Sequence, residues 1–136
     1  PHEIMSMVSH CRIVVTGSYH SAVFALSQGI PAIALYRTAY YKNKFAGLAG
    51  QFGCGCELLY LDDNNLARKL KESIDFLWKA SEFNKHRLLA SAENQIESSR
   101  NAYKRLYDMM ENEKTKKYRN ENYVYANLEE LTANDR

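Results

Sequence analysis

The sequence predicts an α/β fold in which a parallel sheet is flanked by helices and followed by long C-terminal helices. Three observations lead there. Short, largely apolar runs recur at Arg12 to Thr16, where they are β-branched, at Ala32 to Tyr36 and at Glu57 to Leu61; the segments between them carry helical rather than alternating periodicity; and two strands joined through a buried helix make the βαβ unit, whose strands run parallel.

The elements follow in order. Ile4, Met5, Met7 and Val8 occupy neighbouring positions of a short helix ahead of the first strand. Ser21 to Gln28 holds Ala22, Val23, Phe24, Ala25 and Leu26, too apolar all round for a surface helix, so it packs within the fold and stops at Gly29 with Pro31 beyond. After the second strand and the stretch Tyr40 to Phe45, the residues Phe45, Leu48, Ala49 and Phe52 share one helical face that closes at Gly53. Past the third strand, Asp62 to Asn65 offers cap candidates for a helix striped by Leu66, Leu70, Ile74, Leu77 and Trp78 and ending near Ala80. A longer helix follows, with Leu89, Ala92, Ile96, Ser99, Tyr103, Leu106 and Met110 at alternating steps of three and four. Ala92 and Ser99 are weak seam residues, so this stripe predicts one side packed on a domain rather than a coiled coil. From Lys114 the chain turns polar, with Lys114, Lys116, Lys117 and Arg119 near Tyr118, Tyr123 and Tyr125. The expected organisation is a domain with helical extension over 1–113 and a polar, flexible tail over 114–136.

Bulk properties bound the function. A chain of 136 residues suits one compact domain, which buries roughly 70% of its unfolded surface. Its 46% hydrophobic and 25% charged residues are those of an ordinary globular protein. A net charge of +2 gives no global field toward nucleic acid or anionic lipid, and no nucleic-acid partner is expected. No apolar run approaches the ~20 residues of a transmembrane segment and no signal peptide is visible, so the expected compartment is the cytoplasm. Cys11, Cys54 and Cys56 lack the spacing of a zinc site or disulfide framework and are read as reduced, buried thiols; no metal and no cofactor is expected. The chain opens on Pro1 with a strand close behind, which reads as part of something longer.

In an open parallel sheet, ligands gather beyond the carboxyl ends of the strands, where the next helix offers unpaired N–H groups and a positive dipole end. The turn Thr16-Gly17-Ser18-Tyr19-His20-Ser21 has this place. Gly17 is expected to let the backbone turn sharply, and the N–H groups of Tyr19, His20 and Ser21 to point at a phosphate or carboxylate. His20 adds an imidazole able to bear charge toward a phosphate or to transfer a proton near neutral pH. Ser18 reads first as a helix cap. Lys42 and Lys44, just past the second strand, lie at the same sheet edge and within reach of the same anion. The absence of a Walker sequence, of GxGxxG and of paired carboxylates argues against a nucleotidase, a dehydrogenase and a glycosidase.

The stretch from Val14 through Thr16-Gly17-Ser18-Tyr19-His20-Ser21 to Gly29-Ile30-Pro31 resembles the C-terminal half of the polysaccharide pyruvyl transferase family, most clearly over residues 9–53. The resemblance implies a Rossmann-like domain, one half of a GT-B-like pair, and transfer of a pyruvyl group from phosphoenolpyruvate to a saccharide acceptor of a cell-surface or exopolysaccharide. It implies His20 as the catalytic residue, and Lys44 resembles the basic residue that often follows the family's second strand; with Gly17, Ser18, Tyr19 and Ser21 of the turn, Lys44 makes up the expected donor- and phosphate-binding set. It also implies an N-terminal domain of the same protein as partner, without which this piece is inactive. The family's arginine falls on Ser18 here, and a hydroxyl cannot replace the forked contact of a guanidinium. The alternatives are therefore a GT-B glycosyltransferase or epimerase with a nucleotide-sugar donor, and a non-catalytic sugar-binding relative.

Overall fold

In a computed structural model, which describes residues 2–133 and the side chains of 3–117, the chain divides into two compact units, 1–95 and 96–136. The first unit holds the sheet. Its elements are α1 (His2–Ser9), β1 (Val14–Thr16), α2 (Tyr19–Ser27), β2 (Ala32–Tyr36), α3 (Ala39–Phe52), β3 (Cys56–Tyr60) and the first part of α4 (Leu66–Ala133). The strands lie in the order β1-β2-β3, both pairs parallel, with Val14 opposite Ala32 and Ala32 opposite Cys56. The predicted α/β class and parallel sheet are what the chain adopts.

The alternation along β2 divides the core. Ala32, Ala34 and Tyr36 face one side, where Ala22, Ala25 and Leu26 of α2 and Phe45, Leu48 and Phe52 of α3 pack; Ile33 and Leu35 face the other, against Leu66, Leu70, Ile74 and Leu77 of α4. A central parallel strand covered on both faces has no polar side, which explains why Ala32 to Leu35 is an unbroken apolar run. Leu88 and Ala92, further along α4, join the first cluster.

Helix ends account for the chain's path. The Gly29 N–H donates to the Leu26 carbonyl (3.1 Å) and the Ile30 N–H to that of Ala25 (2.9 Å), the two bonds of a Schellman stop, with Gly29 left-handed at φ 79°. Gly53, at φ 72°, closes α3 by donating to the Ala49 carbonyl. Thr38 caps the start of α3, its hydroxyl accepting from the Tyr41 N–H, so this helix begins at Ala39.

Several expectations need correction. The predicted break near Ala80 is absent, and α4 is one helix of 68 residues. No glycine or proline lies between Ala80 and Leu89 to end it, and Ser81 bonds back to the Trp78 carbonyl within the helix. Trp78 is half exposed rather than core, because one residue beyond Leu77 turns it about 100° away from the sheet; the Arg12 guanidinium lies 4.7 Å from its ring centre. The cysteines are free, but Cys11 is exposed and Cys54 and Cys56 are only half-buried. In the second unit, Ile96, Tyr103, Leu106 and Met110 are more than half exposed, so the stripe is buried only as far as Ala92. The expected polar tail falls largely on 118–136, whose side chains lie outside the described residues.

Candidate active site at the strand ends

The site grows from the way β1 hands over to α2. The Ser18 N–H donates to Thr16 Oγ1 (2.9 Å), which folds the chain back as the strand ends. Ser18 then takes an extended conformation at the cap position, its carbonyl accepting from the Ala22 N–H and its hydroxyl from the Ser21 N–H at 3.4 Å. Ser18 is thus the helix cap the sequence suggested. Its hydroxyl occupies one of the three N–H groups expected to meet an anion. The N–H groups of Tyr19 and His20 have no protein acceptor among the described residues.

Gly17 plays a different part from the one expected. It has no positive φ, and a Cβ at this position would meet nothing nearer than the Leu35 carbonyl oxygen at 3.7 Å. The turn needs no glycine-only backbone here; the missing side chain simply leaves the strand end open.

Tyr19 is half-buried and leans on the core, its ring 5.9 Å from that of Phe45. His20 is exposed, with its ring edge-on to Tyr19 at 6.0 Å, and makes no protein hydrogen bond among the described residues. Lys44 joins them from α3: its Nζ lies 4.5 Å from the centre of the Tyr19 ring and 5.4 Å from that of Tyr40. The start of α3 at Ala39 makes this possible, since Tyr40 and Lys44 are i, i+4 neighbours on one helical face. Tyr19, His20 and Lys44 are therefore brought together, whereas Lys42 is exposed and it is Lys44, not Lys42, that stands over the rings. Tyr40 belongs to the cluster although no role was expected of it; a capping Thr38 followed by Tyr40 and Lys44 four apart was the available signal.

The arrangement offers two unpaired backbone donors at a helix start, an exposed imidazole and a primary ammonium without a carboxylate partner among the described residues. Its chemistry suits a small oxyanion and a proton transfer beside it. Gly17, Ser18 and His20 are exposed. Two cavities of the first unit are lined elsewhere, one by Arg12, Gln28, Ser81 and Lys85 and another by Cys54, Cys56, Phe83 and Arg87. No helix among the described residues is long and apolar enough to cross a membrane, and no group of three or more metal-binding side chains occurs among them.

Residues 1–39 match the family model described as polysaccharide pyruvyl transferase. The matched segment runs from α1 to the first residue of α3 and includes the whole Thr16 to Ser21 turn, which bears out the resemblance drawn from the sequence; Tyr40 and Lys44 lie beyond it. No curated protein and no solved structure matches the chain.

Proposed function

We propose that this chain is part of a transferase of the polysaccharide pyruvyl transferase family, moving a pyruvyl group from phosphoenolpyruvate to a sugar of a cell-surface or exopolysaccharide. One observation carries the reading: within the family-matched segment, the turn after β1 leaves the Tyr19 and His20 N–H groups free beside the His20 imidazole. The free N–H groups and Lys44 would take the donor's phosphate or carboxylate, with the positive end of α2 adding to the attraction. His20 would deliver a proton to the terminal enol carbon, making it a methyl group and leaving the adjacent carbon open to a sugar hydroxyl. Attack by a second hydroxyl as phosphate leaves completes the cyclic ketal, and of the two hydroxyl protons one replaces that given by His20 and the other departs with phosphate. Such a turn is exposed in this chain, so a further domain of the same protein would cover it during turnover.

The test is calorimetric titration of the chain with phosphoenolpyruvate and with a panel of nucleotide sugars, using His20→Ala as control. Phosphoenolpyruvate should bind and the variant should bind it more weakly. Binding of nucleotide sugars alone would replace this reading with that of a GT-B glycosyltransferase or epimerase, and binding of no donor would leave a non-catalytic sugar-binding relative.

A further inference from the structure

Lysine on a helix surface is ordinarily a solvated, mobile point charge that must be ordered when a ligand arrives. Lys44 is placed otherwise. It is half-buried, its ammonium stands over the Tyr19 ring at 4.5 Å and beside the Tyr40 ring at 5.4 Å, and among the described residues no carboxylate pairs with it. The two rings come from different helices, Tyr19 from the first residue of α2 and Tyr40 from the first turn of α3. Tyr19 is itself fixed by the buried Phe45 ring, and Tyr40 stands edge-on to Tyr41 at 5.3 Å. Each face attracts a cation, and neither can neutralise it as a carboxylate would. The ammonium is thereby oriented while its charge stays available.

We propose that Tyr19 and Tyr40 are positioning residues that hold the Lys44 ammonium ready for the oxyanion of the donor, a phosphate or a carboxylate group. The inference rests on the anion-binding reading of the same turn and deepens it by assigning a role to two aromatic faces. Tyr40 is 64% exposed, so replacing it leaves the core intact. If the rings set Lys44 in place beforehand, losing one returns the ordering cost to the binding step and weakens oxyanion binding about three- to tenfold. Tyr40→Phe keeps the face and should bind as the unaltered chain does, whereas a role for the phenol hydroxyl would make it resemble Tyr40→Leu.

The experiment pairs titration with inorganic phosphate, phosphoenolpyruvate and pyruvate with a carbon–proton NMR correlation of the lysine ε-methylenes, in which Lys44→Arg assigns the Lys44 signal. The expected result is a Lys44 ε-methylene shifted upfield by the rings, moved toward the solvated position by Tyr40→Leu together with weaker binding, and restored on both counts by Tyr40→Phe. Phosphate and pyruvate as separate ligands tell which oxyanion Lys44 receives. An unshifted Lys44 signal in the unaltered chain, or unchanged oxyanion binding by Tyr40→Leu, would overturn the inference while leaving the donor site standing. Binding of inorganic phosphate but not phosphoenolpyruvate, with the same variant effects, would overturn the pyruvyl-transfer reading and leave the positioning role intact. No binding of any oxyanion would overturn both.

Discussion

Replacing Gly55 with alanine isolates how closely α4 approaches the sheet. Gly55 sits at φ 71° just before β3, and a Cβ added there would lie 2.9 Å from Leu88 Cδ1 and 3.3 Å from Cδ2. Leu88 is fully buried, so its methyl groups have nowhere to go without moving α4 or the strand. Gly53 provides the internal control: its φ is 72°, and a Cβ there would meet nothing within 4 Å. Gly53→Ala should therefore cost only the left-handed backbone, roughly 1–2 kcal/mol. Gly55→Ala carries that cost plus overpacking of about 1–3 kcal/mol, a total of roughly 2–5 kcal/mol. Urea unfolding followed through the fluorescence of Trp78, the one tryptophan, measures both variants in the unit that contains the sheet. A Leu88→Ala background should remove the excess and leave Gly55→Ala costing about what Gly53→Ala does. Equal losses for the two glycine variants in the native background would refute the close approach of Leu88, as would an excess that survives Leu88→Ala.

Three further predictions are independent of the first. Lys69 bonds to the Asp63 carboxylate and the Asn65 N–H also donates to it, holding Asp63 below the usual carboxylate range. A lowered native pKa contributes stability that is present above the unfolded value of about 3.9 and fades as pH falls through the native one; Asp63→Asn should therefore flatten the acid limb of a stability–pH curve below pH ~4, and an unchanged limb would exclude the pair as its source. Burial, with the adjacent Glu57 carboxylate, pushes the Cys56 thiol up to about 11, so at pH 8 iodoacetamide should label exposed Cys11 well before Cys56, and mass spectrometry finding Cys56 modified first would contradict that placement. Ser18→Ala removes the cap of α2 and should lower stability by about 1 kcal/mol in the same urea assay, whereas Ser18→Asp retains a capping acceptor and should lose little; equal losses would place the effect outside capping.

The sheet was legible because each strand is short, largely apolar and bounded by glycine or a polar turn, with β2 apolar on both faces. Gly29 and Gly53 announce their helix ends through a backbone conformation only glycine adopts readily, and both ends fall where the sequence puts them. Gly17 shows the limit of the same reasoning: between a strand and a helix it looks like a sharp turn, yet its φ is ordinary. The turn is instead made by side chains, Thr16 accepting from the Ser18 N–H and Ser18 from that of Ser21. Periodicity alone also misplaces Trp78 and the stripe beyond Ala92, because a helical pattern states which residues share a face and not whether anything covers it. For Lys44, spacing indicated only proximity to the site. What locates its ammonium is Thr38, which starts α3 at Ala39 and sets Tyr40 and Lys44 on one face.

The same local chemistry decides where the charge of the site must come from. Capping by Ser18 uses one donor of the first turn, so the backbone alone offers the Tyr19 and His20 N–H groups, two fixed dipoles at an exposed edge. The formal positive charge beside them lies on side chains: Lys44, steadied by aromatic faces, and His20 when protonated. Charge on an exposed edge is screened over about 8 Å at physiological ionic strength, so oxyanion binding by this chain should weaken as salt rises. A covering domain would raise the worth of the same groups by excluding water and lowering the local dielectric. The groups proposed for the site thus lie within residues 16–44, and excluding water from them would raise their strength.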